Sequence, residues 1–375
     1  MTGAANKKED SGDTPAETAT LMKGPAQDGN TRTAAAFAVL WTVVFIDLVG
    51  FGILTPLIPF YALRTGLGPE AITLVIAAYS LSQFSAMPLW GHVSDRYGRR
   101  PVLLVSMAGH AFSYVLLAYA DTWQMLLLSR VLGGITSANL ATAYAYVADT
   151  CAPAERPRYL GRLSAAFGLG LVVGPVIGGV LSGGTGLADA NLAHPAFAAG
   201  AFSFLSFIGI LFWLPESRRP MAGAAQQKSG GLIVGLSRMG KQTRFMGLVT
   251  LCLLVIIFVA AREAILAIWA HDVHGFGPRD IGILLGVSGA TITLFQFFAM
   301  GPLAGRFGSF NLVRTAILFY MVGWIGLLIS DGLIEIALSM MVAAVATALF
   351  QTNMQTLIVE DADACVLHSS LRCCC

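Results

Sequence analysis

Ten apolar runs, each close to the length that crosses a bilayer as a helix, constrain this chain more than any other feature. They lie near 34–62, 71–91, 101–120, 123–147, 160–182, 196–214, 245–270, 281–301, 311–330 and 333–358. About 20 apolar residues span the roughly 30 Å hydrocarbon layer. No water in that layer satisfies a free amide or carbonyl, so each run must be helical unless strands close into a barrel. The runs show no strand-like alternation, and an all-α polytopic membrane protein follows. Composition agrees, with 56% of residues apolar and 12% charged, against about 25% charged in a soluble domain. A net charge of +2 lacks the broad basic field of a nucleic-acid binder.

The runs group as six, a polar connector, and four. This predicts an N-terminal six-helix half over 34–214, a cytoplasmic connector over 215–244 and a partial second half of four helices over 245–358. Residues 1–33 are polar and too poor in apolar side chains to bury a core, and read as a disordered tail. They lack the short apolar core and small-residue cleavage site of a secretory signal, so the first run stays as an anchor. Of the 23 Lys and Arg, nineteen fall in the tail, the even-to-odd loops and the chain end. Only Arg64 and Arg279 fall in the opposite loops, and Arg130 and Arg262 lie within runs. The positive-inside bias therefore predicts a cytoplasmic N-terminus.

Charges inside the runs are the strongest functional signal, since each costs roughly 2.5–3.5 kcal/mol or more at the bilayer centre. Asp47 lies 13 residues into the first run, about 20 Å deep, and Arg130 enters from the opposite side to a similar depth. The two are expected to pair across the bundle, either as a proton-coupling site or as a static ion pair. Arg262 and Glu263 are neighbours pointing about 100° apart on a helix, and suggest a rim rather than a site. Gln83, His110, Asn139, Gln296, Gln351, Asn353 and Gln355 are candidates to line a central cavity, or else simple interhelical hydrogen bonds.

Two motifs stand out. After the second run the chain reads Gly91-His-Val-Ser-Asp95-Arg96-Tyr-Gly98-Arg99-Arg100-Pro101. Its glycines permit a tight interhelical turn, its arginines hold the loop at the cytoplasmic face, and Asp95 can pair with them or cap a helix. The fifth run carries Gly170-Leu-Val-Val-Gly174-Pro175-Val-Ile-Gly178-Gly179. Glycines every four residues make a smooth stripe for close helix approach, expected to meet the other half, and Pro175 bends the helix.

Together these motifs resemble the major facilitator superfamily of secondary transporters, nearest to drug:proton antiporters of the tetracycline-efflux type, over residues of about 36 to 357. Asp47-Leu-Val-Gly-Phe-Gly-Ile-Leu-Thr-Pro56, Ser129-Arg130-Val-Leu-Gly133-Gly134 and Trp213-Leu-Pro-Glu-Ser217 match as well. Gly301-Pro-Leu-Ala-Gly305-Arg306-Phe-Gly308 is a degraded second copy of the basic loop, as two homologous halves would have. The resemblance implies proton-coupled export of a small amphipathic or hydrophobic compound by alternating access. Gly91, Asp95, Arg96, Gly98, Arg99 and Arg100 would form the conformational gate, and Gly170, Gly174, Pro175, Gly178 and Gly179 the packing motif. Its partners would be a small-molecule substrate, protons and the lipid bilayer.

The sequence also departs from that family. Ser113 stands where tetracycline carriers have a carboxylate in the third helix, and Ile292 and Tyr320 stand near their later titratable positions, which argues against tetracycline itself. The family has twelve helices, whereas an acidic, cysteine-ended stretch follows Ile358, so the last two helices are expected to be missing and 359–375 to form an atypical tail. Two rival functions follow. One is a non-transporting truncated product or an oligomerising partner of a full-length transporter, and the other is facilitated uptake of a small metabolite or organic anion.

Other chemistries fit less well. Gly235-Leu-Ser-Arg-Met-Gly240-Lys241-Gln242 approaches a phosphate-binding loop, but Gln242 replaces the metal-binding hydroxyl and no strand leads in. The Gly168-x-Gly170 start likewise lacks the strand of a dinucleotide site. His271-Asp272-x-His274 reads as an ordinary outer loop. The six cysteines match no zinc or redox spacing; the terminal Cys373–Cys375 triplet is either an acylation site or an accident of the chain's end. The expectation is thus no enzyme, no cofactor and no metal.

Overall fold

The computed structural model describes the backbone of residues 26–151, 155–183, 190–217 and 243–372. Side-chain surroundings are described from 36 to 358 within those ranges, except at 157, 244–245 and 263–264. The connector, with its loop-like Gly235–Gln242 stretch, lies largely outside the described residues, as do most of the tail and the terminal cysteines.

The described residues form helices and no strands. The first run comprises α1 (Ala26–Leu54), a 3-10 turn (Thr55–Leu57) and α2 (Ile58–Arg64). Pro56 and Pro59 sit at the starts of the turn and of α2, where a missing amide hydrogen costs nothing. There follow α3 (Pro69–Tyr97), α4 (Arg99–Ala118), α5 (Trp123–Thr136), α6 (Asn139–Thr150), α7 (Arg156–Ser182) and α8 (Ala193–Trp213). Beyond the connector come α9 (Thr243–His274), α10 (Pro278–Phe298), α11 (Met300–Phe307), α12 (Ser309–Ile329) and α13 (Leu333–Arg372).

Nine helical stretches among the described residues are long and apolar enough to cross a membrane. The tenth expected span, 123–147, is instead broken into α5 and α6 at Ser137 and Ala138. No proline announces the break. Ser137 turns out of helical geometry, its amide donates back to Gly134 O at 3.1 Å, and Tyr79 and Gln83 of α3 donate to its hydroxyl at 3.1 and 2.8 Å. Side chains thus replace part of what the backbone gives up, the condition for an interrupted helix in lipid. The eighth run is also interrupted, at Ala299, and α13 continues as helix to Arg372, past the boundary expected at 358.

α1 is central in the first half, packed on α7 and α8, while α4 packs on α5 and α8. In the second half α12 packs on α13 and α10 on α13. The halves meet where α7 packs on α10. At the end of the molecule away from the Gly91–Pro101 loop, one apolar core takes residues from both halves: Leu57, Phe60 and Leu192 with Leu266, Ile281 and Ile336. At the loop end the cores are separate. Leu40, Leu103, Tyr146 and Leu163 form one, and Leu312, Phe350 and Met354 the other.

The glycine stripe does not serve the junction of the halves as expected. A β-carbon on Gly170 would stand 2.6 Å from Leu48 Cβ, one on Gly174 2.6 Å from Gly52 Cα, and one on Gly178 would collide with Ile53 O. The stripe is therefore the seam between α7 and α1, inside the first half. The junction uses the adjoining face of α7 and glycines of α10. A β-carbon on Gly179 would lie 3.1 Å from Gly282 Cα, and one on Gly282 2.5 Å from Pro175 O.

Candidate functional site

Asp47 is 1% exposed in the middle of α1 and is the hub of a polar cluster drawn from four helices. His110 of α4 directs Nδ1 at Oδ1 from 3.2 Å, Ser203 of α8 donates to the same oxygen at 3.4 Å, and Asn139 at the start of α6 donates its side-chain amide to Oδ2. A carboxylate facing three donors is well satisfied, which lets an acid sit in an apolar bundle. The break in the fourth span contributes, because it makes Asn139 the first residue of α6 and turns that helix's positive end toward the acid.

Arg130 of α5 is nearby but is not Asp47's partner. The expected ion pair does not form, since the cluster gives Asp47 its donors from α4, α6 and α8 instead. Arg130 is 5% exposed, lies 5.8 Å from the centroid of the Tyr79 ring, and finds no protein partner for Nε or Nη2. The ring face supplies cation–π attraction in place of a carboxylate. Tyr79 and Tyr114 feel both charges, which puts the two within one electrostatic neighbourhood.

Of the other candidates, Gln83 is half-buried and holds the Ser137 break. Asn353 is buried but donates to its own helix at Leu349 O (2.8 Å) and to Met300 Sδ (3.4 Å). Gln296 is half-buried on α10, and Gln351 and Gln355 are exposed on α13; none is bonded to the Asp47 cluster. Arg262 lines a small crevice with Leu266, Trp324 and Met340. His271 turns inward to Phe276 O at 3.2 Å. Ser113 donates to Ser129 O at 2.7 Å, tying α4 to α5, and Tyr320 donates to Thr347 at 3.1 Å. The residues at these two positions therefore do packing work here.

The basic loop is a second centre. Gly98 adopts φ of 101°, a conformation that disfavours any side chain, and a β-carbon there would also push the Glu216 carboxylate, 2.7 Å away, from its place. Glu216 accepts from the Arg99 amide at 2.9 Å and from the Arg100 amide at 3.3 Å, capping the start of α4 from beyond the end of α8. Arg99 bridges Asp95 and Asp149, both at 2.7 Å, and donates to Ser94 at 2.9 Å. Arg100 reaches Leu211 O at 2.5 Å. Asp95 itself is mostly exposed, and Gly91 and Arg96 are exposed. Between this loop and α6 runs a crevice of about 90 Å³ lined by Met87, Gly91, Arg99, Ala138 and Thr142.

Ser203, Tyr79, Asp149 and Glu216 are the members that sequence reasoning did not assign. Glu216 alone carried a signal, through the Trp213–Ser217 match.

Two helical halves that share a core at one end, with a buried acid in the middle of α1 and a charged loop at the other end, fit a membrane transporter. The family model for the Major Facilitator Superfamily matches residues 40–364, and the chain belongs to that family. It is 30% identical over 286 residues to the class B tetracycline resistance protein of Escherichia coli, covering 74% of this chain and 67% of that one. With the class D protein of Salmonella ordonez it shares 32% over 344 residues, 85% and 83% of the two chains. Among solved structures, a bacterial homologue of the human lysosomal transporter Spinster, inward-facing and unoccupied, superposes with a TM-score of 0.69 at 16% identity, over 90% of this chain and 79% of that one. The nucleoside transporter NupG gives 0.66 at 15% identity, over 85% and 80%.

Proposed function

We propose that this transporter exports a small amphipathic or hydrophobic compound in exchange for protons, by alternating access about the junction of α7 and α10. The observation that carries the reading is the Asp47 cluster, an acid sealed at mid-depth in a bundle whose halves share a core at one end only. A charge so placed is rarely structural, because lipid-facing helices need none. The tetracycline resistance relatives support export of a drug-like compound. Ser113, engaged in packing, supports a substrate other than tetracycline.

In this reading the basic loop faces the cytoplasm, following the Lys and Arg bias, so the shared core closes the outer end and the separate cores leave the inner end parted. Arg99, clamped by Asp95, Asp149 and Ser94 beside the Glu216 cap, stabilises one state of the loop. Arg130, held by Tyr79, is the fixed positive charge available to Asp47 or substrate in the other state. The four long apolar spans described after the connector, with the short α11 between two of them, take part as the moving half, and the bilayer is the protein's medium.

The test uses everted vesicles carrying the 375-residue chain, energised to an acidic interior. A panel of amphipathic dyes and drugs is added and collapse of the pH gradient is followed. At least one compound should dissipate the gradient only when the protein is present. Asp47→Asn should abolish that uphill uptake while exchange down a substrate gradient persists. Uphill uptake in Asp47→Asn equal to wild type would sink the reading.

A further inference from the structure

Asp47 is surrounded by groups that give hydrogen bonds. Asn139 and Ser203 donate to it, and neither can take a proton from it at ordinary pH. Its third neighbour can. The His110 ring is 2% exposed, with Nδ1 3.2 Å from Oδ1 and Nε2 buried with no protein partner. A buried imidazole nitrogen normally has a partner, and this one is neither tied off nor open to bulk solvent in the state observed.

We propose that His110, rather than Asp47, carries the coupled proton, with Asp47 as its fixed counter-charge. The inference rests on the proton-coupled reading above and names the group that the proton rides. In the unloaded cluster Asp47 is a carboxylate and His110 neutral, its Nδ1–H donating to Oδ1. On loading, a proton from water adds to the Nε2 lone pair. One N–H bond forms, the ring becomes imidazolium, and the cluster passes from one net negative charge to none. On release the Nε2–H bond breaks and the proton returns to water. The Nδ1–H bond to Asp47 is kept in both states, so the ring needs no reorientation.

The surroundings fit this division. The titratable and charged groups facing the pair are Tyr114 of the same helix, 5.8 Å away ring to ring, Tyr79 from α3 and Arg130 from α5. α1 contributes Asp47, while α6 and α8 contribute only the neutral Asn139 and Ser203. Among the described residues, no second carboxylate is bonded to the ring to compete for the charge. The crevice from the basic loop ends at Ala138, the residue before Asn139, and at Thr142, one turn further along α6.

The test is a pH titration of the purified full chain with nitrogen-15 in its histidine rings, beside infrared spectra of its carboxyl groups; it needs no substrate. A ring signal absent from His110→Gln should pass from the neutral to the charged form as pH is lowered. In Asp47→Asn its midpoint should drop by about one pH unit or more, because the counter-charge is gone. Should His110→Gln fold poorly, a chain with His92, His194, His271, His274 and His368 replaced by Gln leaves His110 as the sole signal. A ring that stays neutral throughout, with a protonated-carboxyl band that Asp47→Asn removes, would place the proton on Asp47 and overturn the proposal. So would a midpoint unmoved by Asp47→Asn. Absent dye transport with this titration intact would refute the export reading and leave the His110 assignment standing.

Discussion

Replacing Gly174 with alanine tests the packing of the first half most sharply. The new methyl would lie 2.6 Å from Gly52 Cα and 2.7 Å from Val49 O, both backbone atoms that cannot swing aside. To reach ordinary contact the axes of α1 and α7 must part by about 0.8 Å. A gap of that size forfeits a quarter to a half of each affected van der Waals contact, and overpacking of this kind costs about 1–3 kcal/mol. The seam is long, running from Gly170 against Leu48 to Gly178 against Ile53, so relief at one position strains the next. Thermal unfolding in detergent, read by fluorescence-detected size exclusion, should show Gly174→Ala melting several degrees below wild type. Gly161→Ala, where nothing lies within 4 Å, should melt with wild type or slightly above it, since alanine is the better helix former. Equal melting of the Gly174 and Gly161 variants would refute the assignment of the stripe to the seam with α1.

Gly282→Ala places its methyl 2.5 Å from Pro175 O at the junction of the halves. It should leave melting less affected than Gly174→Ala while raising cysteine accessibility at the shared-core end, measured by maleimide labelling at an introduced Leu285→Cys. Glu216→Ala removes the cap on the Arg99 and Arg100 amides and should cost about 0.5–2 kcal/mol, visible as a lower melting temperature that Glu216→Gln partly restores. Cys151 is buried at the end of α6, and burial pushes its thiol up from its ordinary range, with Glu155 adding to the rise. Little thiolate is then present at neutral pH, so alkylation of Cys151 should be slow and should quicken as pH rises; rapid labelling at neutral pH would contradict its placement.

What the sequence revealed, and what it did not, follows the range of the forces involved. Span positions were legible because lipid imposes one rule on every backbone group, and Asp47 because a charge inside an apolar run is costly wherever its neighbours stand. Its partners were not legible. His110 and Ser203 meet Asp47 only because α8 packs on α1 and α4 packs on α8, and nothing in their local sequence records that. The fixed four-residue spacing of Gly170, Gly174 and Gly178 showed that a helix would come close, but not which one. The break at Ser137 has no proline to mark it in the sequence, and the groups that take up its hydroxyl, Tyr79 and Gln83, lie far away in the chain, in α3. The Asp47–Arg130 pairing failed for a related reason. Equal depth in a bilayer does not imply a shared face, and Asn139 occupies the approach to Oδ2.

The division of contacts between the two ends bears on how such a chain is made. Among the described residues every donor to Asp47 lies between 110 and 203, so the costly buried acid is satisfied once the first half has left the ribosome. The shared core must wait, because Leu57 and Phe60 meet Leu266, Ile281 and Ile336 only after later helices insert. Until then those residues face lipid, which accepts apolar side chains without penalty. Synthesis order and polarity therefore run together: the part that cannot tolerate delay is completed first, and the part left open in the interval is the part the membrane can hold.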